Sequence, residues 1–330
     1  MTLCLWLSAG VAVGWAGTWL ARRYALHRNL LDQPGERRSH RQATPRGGGI
    51  AVVAVLLLAL AVLSARDPAR AAAAAWAGLG LALVAGIGGI DDHRPLSPWL
   101  RLGVHVLAGA LLAGAILRLG GTMLDAALAF GAAVVLTNVW NFMDGIDGLA
   151  ASQAALVAVA WALFAGQGPV FWLGLALAAG LCGFLPFNLP QARIFLGDVG
   201  SGPLGYVLAG LLALATLGMD PPHRLWLTLP LLPFLVDASL TLFARMLRGE
   251  PWWRPHVQHA YQAWARRARS HGGVTAAYAA ATVVAALAMF GMHSFGSAGI
   301  MLIYSLFVLA GGLSWRRLRA MDKHGFTERP

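Results

Sequence analysis

Long apolar runs alternate with short polar connections along the whole chain. A helix needs about 20 apolar residues to cross a hydrocarbon core roughly 30 Å thick. No run alternates with a period of two residues, as membrane-spanning strands do. The pattern therefore predicts an all-α, polytopic integral membrane protein that forms one domain over residues 1–330, with about eleven transmembrane helices. The runs lie near 2–21, 48–64, 71–90, 99–117, 123–142, 148–165, 169–187, 201–218, 225–245, 274–292 and 297–314.

Basic residues are distributed unevenly between two alternating sets of connections. The first set holds 21 of the 25 Lys and Arg residues, and the second holds four arginines. Because cytoplasmic connections carry the basic excess, the first set is predicted to be cytoplasmic, with the amino terminus outside and the carboxyl terminus inside. The first set comprises 22–47, 91–101, 143–147, 188–200, 245–273 and the tail after 314.

Composition supports the membrane interpretation. Hydrophobic residues make up 58% of the chain and charged residues 12%, against about 25% charged in soluble proteins. The net charge of +11 is mainly a topology signal that also attracts anionic membrane lipids. Nucleic-acid binding is not indicated, because no extramembrane segment is long enough. Cys4 and Cys182 lie in apolar runs, which argues against a disulfide framework or a thiolate metal site. The start of the chain lacks a basic segment and is predicted to be a first span rather than a cleaved signal peptide.

Acidic residues are scarce, and ten of the 14 fall on the predicted cytoplasmic side. Five of them belong to three short motifs at span ends: GIDDHRPLSPWLR (89–101), NVWNFMDGIDGLA (138–150) and FLGDVGSGPLG (195–205). Acids contribute little to topology, so their presence needs another reason. The motifs are therefore the candidate site.

The first two motifs favour a cation. Asp91 and Asp92 end a predicted helix, where the dipole is negative and adjacent carboxylates repel each other. Asn138, Asn141, Asp144 and Asp147 follow at i, i+3 steps, which predicts a spiral of oxygen ligands on a helix. Ligands of this kind suit Mg²⁺. The alternatives are solvated acids at a membrane edge and a helix-capping turn.

Glycines, arginines and histidines add phosphate-type chemistry on the same side. Asp198 lies in a glycine-rich turn that either faces an anion or caps the eighth span. Arginine suits phosphate and histidine donates to sugar or pyrophosphate, although both also occur as solvated or snorkelling residues. The candidates are Arg46, Arg101, Arg254, His256 and His259. Together these residues indicate a magnesium-dependent phosphoryl-transfer site at the inner membrane surface.

The order of these motifs resembles the polyprenyl-phosphate N-acetylhexosamine-1-phosphate transferase family, glycosyltransferase family 4. The resemblance runs from about 32 to 262 and is carried by DD (91–92), NxxNxxDGxDGLA (138–150), FN (187–188), RIFLGDVGS (193–201) and HxxHxYQ (256–262). It implies transfer of an N-acetylhexosamine-1-phosphate from a UDP-sugar to undecaprenyl phosphate, with release of UMP. The HAYQ-type loop looks most like enzymes that start O-antigen or related polysaccharide synthesis. A bacterial inner membrane with a site facing the cytoplasm and a homodimer are also implied.

The resemblance also implies a role for each matching residue. Mg²⁺, with Mn²⁺ as the alternative ion, would be bound by Asn141 and Asp198. Asp91, Asp92 and Asp144 form the catalytic group, in which the first two position or deprotonate the lipid phosphate. Asp147, Asn188 and Phe195 would hold the uridine, with Phe195 stacking on uracil. Arg101 would contact the pyrophosphate, and His256 and His259 would meet the sugar phosphate. Arg46 and Arg254 join this phosphate and sugar group on their own chemistry, as basic residues of the same face.

Two departures from the family pattern limit the transfer of roles. Pro95 stands where DDxxD would place a third acid, and RPHVQHAYQ replaces the three-histidine run of the muramoyl-pentapeptide transferases. The peptidoglycan branch is therefore the alternative within the family, and the sugar stays open. A secondary transporter and an assembly scaffold are the alternatives outside it, although transporters place coupling acids near the membrane midplane. Asp237, inside the ninth span, either faces the site or pairs with Arg245.

Overall fold

Helices account for nearly all of the regular structure. The computed structural model describes residues 2–33, 43–254, 256–291 and 295–325. The helices are α1 (Leu3–His27), α2 (Ile50–Arg66), α3 (Ala71–His93), α4 (Pro98–Arg118), α5 (Met123–Phe142), α6 (Leu149–Ala165), α7 (Pro169–Asn188), α8 (Asp198–Ala215), α9 (Pro221–Trp226), α10 (Leu232–Leu247), α11 (Ala260–Ala268), α12 (His271–Phe290) and α13 (Ser297–Gly325). Two short strands, β1 (Leu31–Asp32) and β2 (Thr44–Pro45), pair antiparallel.

The prediction of an all-α polytopic membrane protein is confirmed. Within the described residues, nine helical segments are long and apolar enough to cross a membrane, with α9 and α10 joined into one of them. Two shorter apolar helices, α2 and α6, complete a set of eleven that matches the predicted runs one to one. The number of crossings and the orientation stay predictions.

Three helix boundaries change the setting of the acidic motifs. α3 continues to His93, so Asp91 and Asp92 lie in its last turn. α8 begins at Asp198 itself, directly after Gly197 with a φ of +73°. α5 ends at Phe142, and the predicted helical spiral of ligands is therefore wrong beyond Asn141. The following turn ends at Gly148, whose φ of +73° is a left-handed conformation that suits glycine.

Two elements were not predicted from the sequence. α11 is a nine-residue amphipathic helix inside the polar connection that follows α10. The β1–β2 ladder closes the connection between α1 and α2 with only two residues per strand. Both are too short for their own hydrophobic pattern to stand out, and tertiary contacts stabilise them.

Glycines allow α8 to pack at backbone distance against its neighbours. A Cβ atom at Gly88 of α3 would overlap the carbonyl group of Asp198, and one at Gly205 of α8 would overlap the carbonyl of Leu136 in α5. Small residues at such crossings let membrane helices approach closely. α8 is thereby fixed between α3 and α5, and its first turn lies next to the last turn of α3.

Two glycines of α3 provide a matched test of this packing. Gly88→Ala should lower the free energy of unfolding by about 1–3 kcal/mol, the usual cost of overpacking. Gly86→Ala should be neutral or slightly stabilising, because a Cβ there meets nothing within 4 Å and alanine favours the helix. Thermal unfolding in detergent measures both. Equal melting temperatures for the two variants would contradict the close approach of α3 and α8.

Candidate active site

Arg101 joins the acids of the first and third motifs. Its Nη1 atom donates to Asp91 Oδ2 at 2.8 Å and to Asp198 Oδ2 at 2.7 Å. The other Asp91 oxygen accepts from the Leu96 amide at 2.6 Å. Asp91 and Asp198, although 107 positions apart in the numbering, therefore share one guanidinium at adjoining ends of α3, α4 and α8.

Asp92 holds the first turn of α8. Its carboxylate is 2% exposed and accepts from the amides of Asp198 at 3.0 Å and Val199 at 3.1 Å. The amino-terminal end of a helix dipole favours a negative charge at this place. The repulsion expected between Asp91 and Asp92 is thus compensated separately, by Arg101 for one and by the α8 amides for the other. The anion that faces the glycine-rich turn in this structure is Asp92.

The second motif contacts the third through two amide side chains. Asn141 Nδ2, in the last turn of α5, donates to Ser201 Oγ of α8 at 3.1 Å. Asn188 Oδ1 accepts from the Gly148 amide at 2.7 Å, and its Nδ2 donates to the Ile194 carbonyl at 2.9 Å. Asn188 is 5% exposed, so its amide ties two motifs together in the protein interior. Its predicted contact with the nucleotide stays a prediction.

The remaining predicted nucleotide residues border the same region. Asp147 Oδ2 lies 3.2 Å from His271 Nδ1, and the Asp147 carbonyl accepts from the Thr275 hydroxyl at 2.8 Å. The half-buried Phe195 pairs through its backbone with the segment that carries Arg46. Its amide donates to the Pro45 carbonyl at 2.8 Å, and its carbonyl accepts from the Gly48 amide at 2.9 Å.

The loop that carries His256 and His259, called the histidine loop below, reaches the end of α5. The rings of His256 and His259 lie 4.9 Å apart, and the His259 ring lies 6.2 Å from Phe142 at an interplanar angle of 25°. The Tyr261 hydroxyl donates to the Phe142 carbonyl at 3.0 Å. Arg254 is exposed nearby and forms no ion pair with any residue that the structure describes. Burial, reinforced by His259 and Arg245, lowers the pKa of His256 to about 3, so this ring is neutral near pH 7.

An excess of negative charge surrounds Asp144 in the turn after α5. Burial raises the pKa of this carboxyl to about 8, and the charges of Asp198, Asp92 and Asp147 add to the increase. Such a cluster favours a cation. Within the described ranges, however, no three His, Cys, Asp or Glu side chains are grouped closely enough to hold a metal ion alone. An ion bound at Asn141 and Asp198 would need further oxygens, as Mg²⁺ commonly takes from phosphates and water.

Asp237 lies next to the candidate site residue His259, whose Nδ1 is 3.7 Å from Asp237 Oδ1, and the predicted alternative of a pair with Arg245 is wrong. It is 3% exposed and accepts from the amides of Ala260 at 2.8 Å and Tyr261 at 3.0 Å, and from the Tyr278 hydroxyl at 2.7 Å. Arg245 instead pairs with Glu250 at 2.7 Å. Asp237 therefore caps α11 and fixes the histidine loop from beneath. An acid inside a predicted span was the only sequence signal for this function.

The fold is that of an all-α polytopic membrane protein, and the carboxylates and arginines gathered at its adjoining helix ends form the candidate site. Comparison with known proteins identifies the family. The model of glycosyl transferase family 4 matches residues 74–216, a range that contains the first three motifs. The chain belongs to this family, that of the polyprenyl-phosphate N-acetylhexosamine-1-phosphate transferases.

Three relatives illustrate the range of the family. The decaprenyl-phosphate N-acetylglucosaminephosphotransferase of Mycobacterium leprae is 30% identical over 72% of this chain and 70% of its own length. The undecaprenyl-phosphate alpha-N-acetylglucosaminyl 1-phosphate transferase of Escherichia coli is 26% identical over 87% of this chain and 80% of its own length. The phospho-N-acetylmuramoyl-pentapeptide-transferase of Moorella thermoacetica is 37% identical, but over 54% of this chain and 64% of its own length.

The charge excess around Asp144 predicts a pH-dependent stability. Because the folded-state pKa of about 8 lies above the usual value, ionisation opposes folding, and stability falls as the pH rises toward and through 8. Asp144→Asn removes this penalty. We expect its melting temperature in detergent to exceed that of the wild type by about 2–4 °C or more at pH 9, with a smaller gap at pH 6.

The control for this experiment is Asp67→Asn. Asp67 is partly exposed and pairs with Arg70 at 3.0 Å, outside the cluster. This variant should follow the wild-type pH profile. Parallel profiles for Asp144→Asn and the wild type would show that the neighbouring carboxylates do not act on Asp144.

Because Asp237 caps α11, a substitution of Asp237 is expected to let this helix open locally. In Asp237→Asn one oxygen becomes an amide group that cannot accept from a backbone N–H, at a cost of about 1–3 kcal/mol. α11 should open more often, and trypsin should cleave faster at Arg266, Arg267 or Arg269. Tyr278→Phe removes a single donor and leaves both amide contacts, so it should have the smaller effect. Cleavage of both variants at the wild-type rate would rule out a capping role.

Proposed function

We propose that this protein transfers an N-acetylhexosamine-1-phosphate from a UDP-sugar to undecaprenyl phosphate and releases UMP. One observation carries the proposal. Acids of the first and third family motifs share Arg101, and Asn141 of the second motif contacts Ser201 beside them, at the adjoining ends of α3, α4, α5 and α8. The names of the relatives combine a polyprenyl phosphate acceptor with an N-acetylglucosamine phosphate donor, and their activity is the basis for this one.

The reaction forms one phosphorus–oxygen bond and breaks another. An oxygen of the lipid phosphate bonds to the β-phosphorus of the UDP-sugar, and the bond from that phosphorus to the bridging oxygen breaks, so that UMP leaves. Arg101 lies between Asp91 and Asp198 and has further N–H groups to donate to phosphate oxygens. Asp91 and Asp92 border the acceptor side. His256, neutral near pH 7, is suited to hydrogen bonding with the sugar phosphate rather than to charge pairing.

The donor set fits a magnesium ion that is completed by substrate. Asn141 and Asp198 would hold Mg²⁺, and Mn²⁺ is the alternative ion. Once bound, the ion supplies charge neutralisation at the phosphates that separate. The raised pKa of Asp144 supports this assignment, because burial and the charges of Asp198, Asp92 and Asp147 raise it and such a group of carboxylates favours a cation. The chain positions the two ligands by the Asn141–Ser201 and Arg101–Asp198 contacts.

The amino sugar is proposed from two observations. The relatives that align over most of this chain are N-acetylglucosamine phosphate transferases, whereas the muramoyl-pentapeptide relative aligns over 54% of it. RPHVQHAYQ (254–262) also lacks the three-histidine run of the peptidoglycan branch. We therefore place this chain among the enzymes that start O-antigen or related polysaccharides, at the cytoplasmic face of the inner membrane. The basic excess on that face supports the orientation.

A secondary transporter is the second candidate, since about eleven spans also suit that class. The acids of the site gather at helix ends, while transporters bind near the midplane of broken helices. Labelled UDP-sugar taken up unchanged into proteoliposomes, with no UMP formed, would favour the transporter.

The test of the proposed function is UMP release from UDP-N-acetylglucosamine and undecaprenyl phosphate in the presence of Mg²⁺. Asp198→Asn should lower the rate about a hundredfold or more, because it removes the carboxylate proposed to hold the Mg²⁺ that neutralises the phosphates. Asp92→Asn should abolish it as well. Asp92 also holds α8, so the melting temperature of that variant must be measured alongside its activity.

Asp67→Asn is the matched control, and it should retain the wild-type rate. Full activity in a well-folded Asp198→Asn variant would refute the assignment of this residue. UDP-FucNAc and UDP-QuiNAc, offered in parallel, identify the sugar. Failure of the wild type with all three donors, in a sample that is folded, would refute the N-acetylhexosamine proposal.

A further inference from the structure

The carboxyl-terminal helix is longer than a membrane crossing requires. α13 has 29 residues, which correspond to about 44 Å of helix, whereas a hydrocarbon core is roughly 30 Å thick. Its mostly apolar part ends near Leu313 and is followed by the half-buried Trp315 and the exposed Arg316 and Arg317. α13 packs against α11, the helix that follows the histidine loop. The last turns of α13 therefore lie where they can act on that loop.

Trp315 connects α13 to α10 by a hydrogen bond. Its Nε1 atom donates to Thr241 Oγ1 at 2.9 Å. The buried Thr241 hydroxyl donates in turn to Asp237 Oδ1 at 3.2 Å, one turn earlier in α10. Because a hydroxyl has one proton to donate and lone pairs that accept, both bonds are made at once. These three side chains are called the Trp315–Thr241–Asp237 relay below.

The hydroxyl of Thr241 has an unusual partner for a helical threonine. Such hydroxyls commonly donate to the backbone carbonyl one turn earlier in their own helix. Thr18 of α1 does so in this chain, since its Oγ1 donates to the Gly14 carbonyl at 2.6 Å. Thr241 gives its proton to a carboxylate instead. It thereby acts on Asp237 and not only on the helix that carries it.

Asp237 transmits this contact to the histidine loop. Its Oδ1 atom accepts from the Ala260 amide at 2.8 Å as well as from Thr241, and it lies 3.7 Å from His259 Nδ1. His259 is buried, and its Nδ1 atom has no hydrogen-bond partner among the residues that the structure describes. One carboxylate oxygen therefore fixes the start of α11 and faces a ring nitrogen that is open to a further partner.

α13 also acts on the loop through charge. Burial is the main cause of the low pKa of His256, and the charges of His259, Arg245 and Arg319 lower this pKa further. Arg319 follows Trp315 by one helical turn, so the two side chains lie on the same face of α13. The same face of α13 thus influences both histidines of the loop, one by the relay and the other by its electrostatic field.

We propose that Trp315 and Thr241 are positioning residues for the UDP-sugar. Through Asp237 they hold His259 and the start of α11 in the place where the loop meets the sugar phosphate. The proposal rests on the proposed function, which assigns the sugar phosphate to the histidine loop. It gives the carboxyl-terminal helix, which lies outside the range 74–216 matched by the family model, a part in recognition of the donor.

The relay should not affect the lipid acceptor. It ends at α11, whereas Asp91 and Asp92 on the proposed acceptor side are held by Arg101 and by the first turn of α8. A loss of the relay should therefore weaken binding of one substrate and leave the other unchanged. A purely structural role of α13 would affect both substrates or neither.

Two substitutions remove the relay and keep the shape of the side chains. Trp315→Phe removes the indole N–H, and Thr241→Val removes the hydroxyl. In each, the KM for UDP-N-acetylglucosamine should rise about three- to tenfold, the scale of one hydrogen bond. The KM for undecaprenyl phosphate and the kcat should stay within about twofold of wild type, as expected when only ground-state binding changes. Thr241→Ser keeps the hydroxyl and should restore the donor KM.

The double variant distinguishes a relay from two independent contacts. Thr241→Val removes the acceptor of Trp315 together with the donor to Asp237. Trp315→Phe should therefore add nothing to the donor KM when Thr241→Val is already present. Multiplied effects would overturn the relay. An unchanged donor KM in both well-folded single variants would overturn the proposal and leave the proposed function intact.

Trp6→Phe is the matched control. Trp6 Nε1 donates to the Trp172 carbonyl at 2.9 Å, so this variant also loses one indole hydrogen bond between two membrane helices. Trp6 lies in the first turns of α1, and its bond to α7 is separate from the relay. Its kinetics for both substrates should be those of the wild type. A rise of the donor KM in Trp6→Phe equal to that in Trp315→Phe would show a general loss of packing and would contradict the relay.

Hydrogen exchange tests the relay without turnover. The amides of Ala260 and Tyr261 donate to Asp237, so Trp315→Phe and Thr241→Val should speed exchange in peptides that contain them, and Trp6→Phe should not. Unchanged exchange in both variants would overturn the proposal. Faster exchange with an unchanged donor KM would show a structural role only and would also overturn it. Failure of the wild type to release UMP would count against the proposed function, and the exchange rates would still decide whether the relay acts on α11.

Discussion

The contact between Asp92 and the first turn of α8 organises the active end of this molecule. A buried carboxylate without partners is strongly unfavourable, and here two backbone amides and the positive end of a helix dipole compensate it. The contact requires α3 and α8 to approach at backbone distance, which Gly88 permits. Once α8 is held there, Asp198 lies beside Arg101 and Ser201 lies beside Asn141.

The chain uses polar side chains to connect segments that lie far apart in the sequence. Asn188 joins the turn after α5 to the segment before α8. Asp237 joins α10, α11 and α12. Tyr261 of α11 then connects this group to the end of α5 by its hydrogen bond to Phe142. In a protein interior that excludes water, each of these groups needs a partner. The same contacts satisfy them and set the positions of the candidate ligands, so stability and site geometry depend on the same residues.

The sequence predicted the helices well because a membrane imposes a simple rule on length and hydropathy. It located Asp91, Asp92, Arg101, Asn141 and Asp198 in motifs that the structure brings into contact. It misplaced the turn after Phe142, where Gly145 and Gly148 interrupt a regular i, i+3 pattern. It also missed α11, whose stability comes from an acid 23 positions earlier in the chain. Short elements of this kind depend on partners that periodicity does not reveal.

The sequence by itself determined an all-α membrane protein, a biased distribution of basic residues and a set of acids confined to span ends. Hydropathy and charge act locally against the bilayer, so they can be read along the chain. Only the tertiary structure decided which partner each acid has. Asp91 pairs with Arg101, Asp92 caps α8 and Asp237 caps α11. A groove also lies between α1, α2 and α3. These outcomes depend on distances between remote segments, which are set by helix packing and not by local pattern.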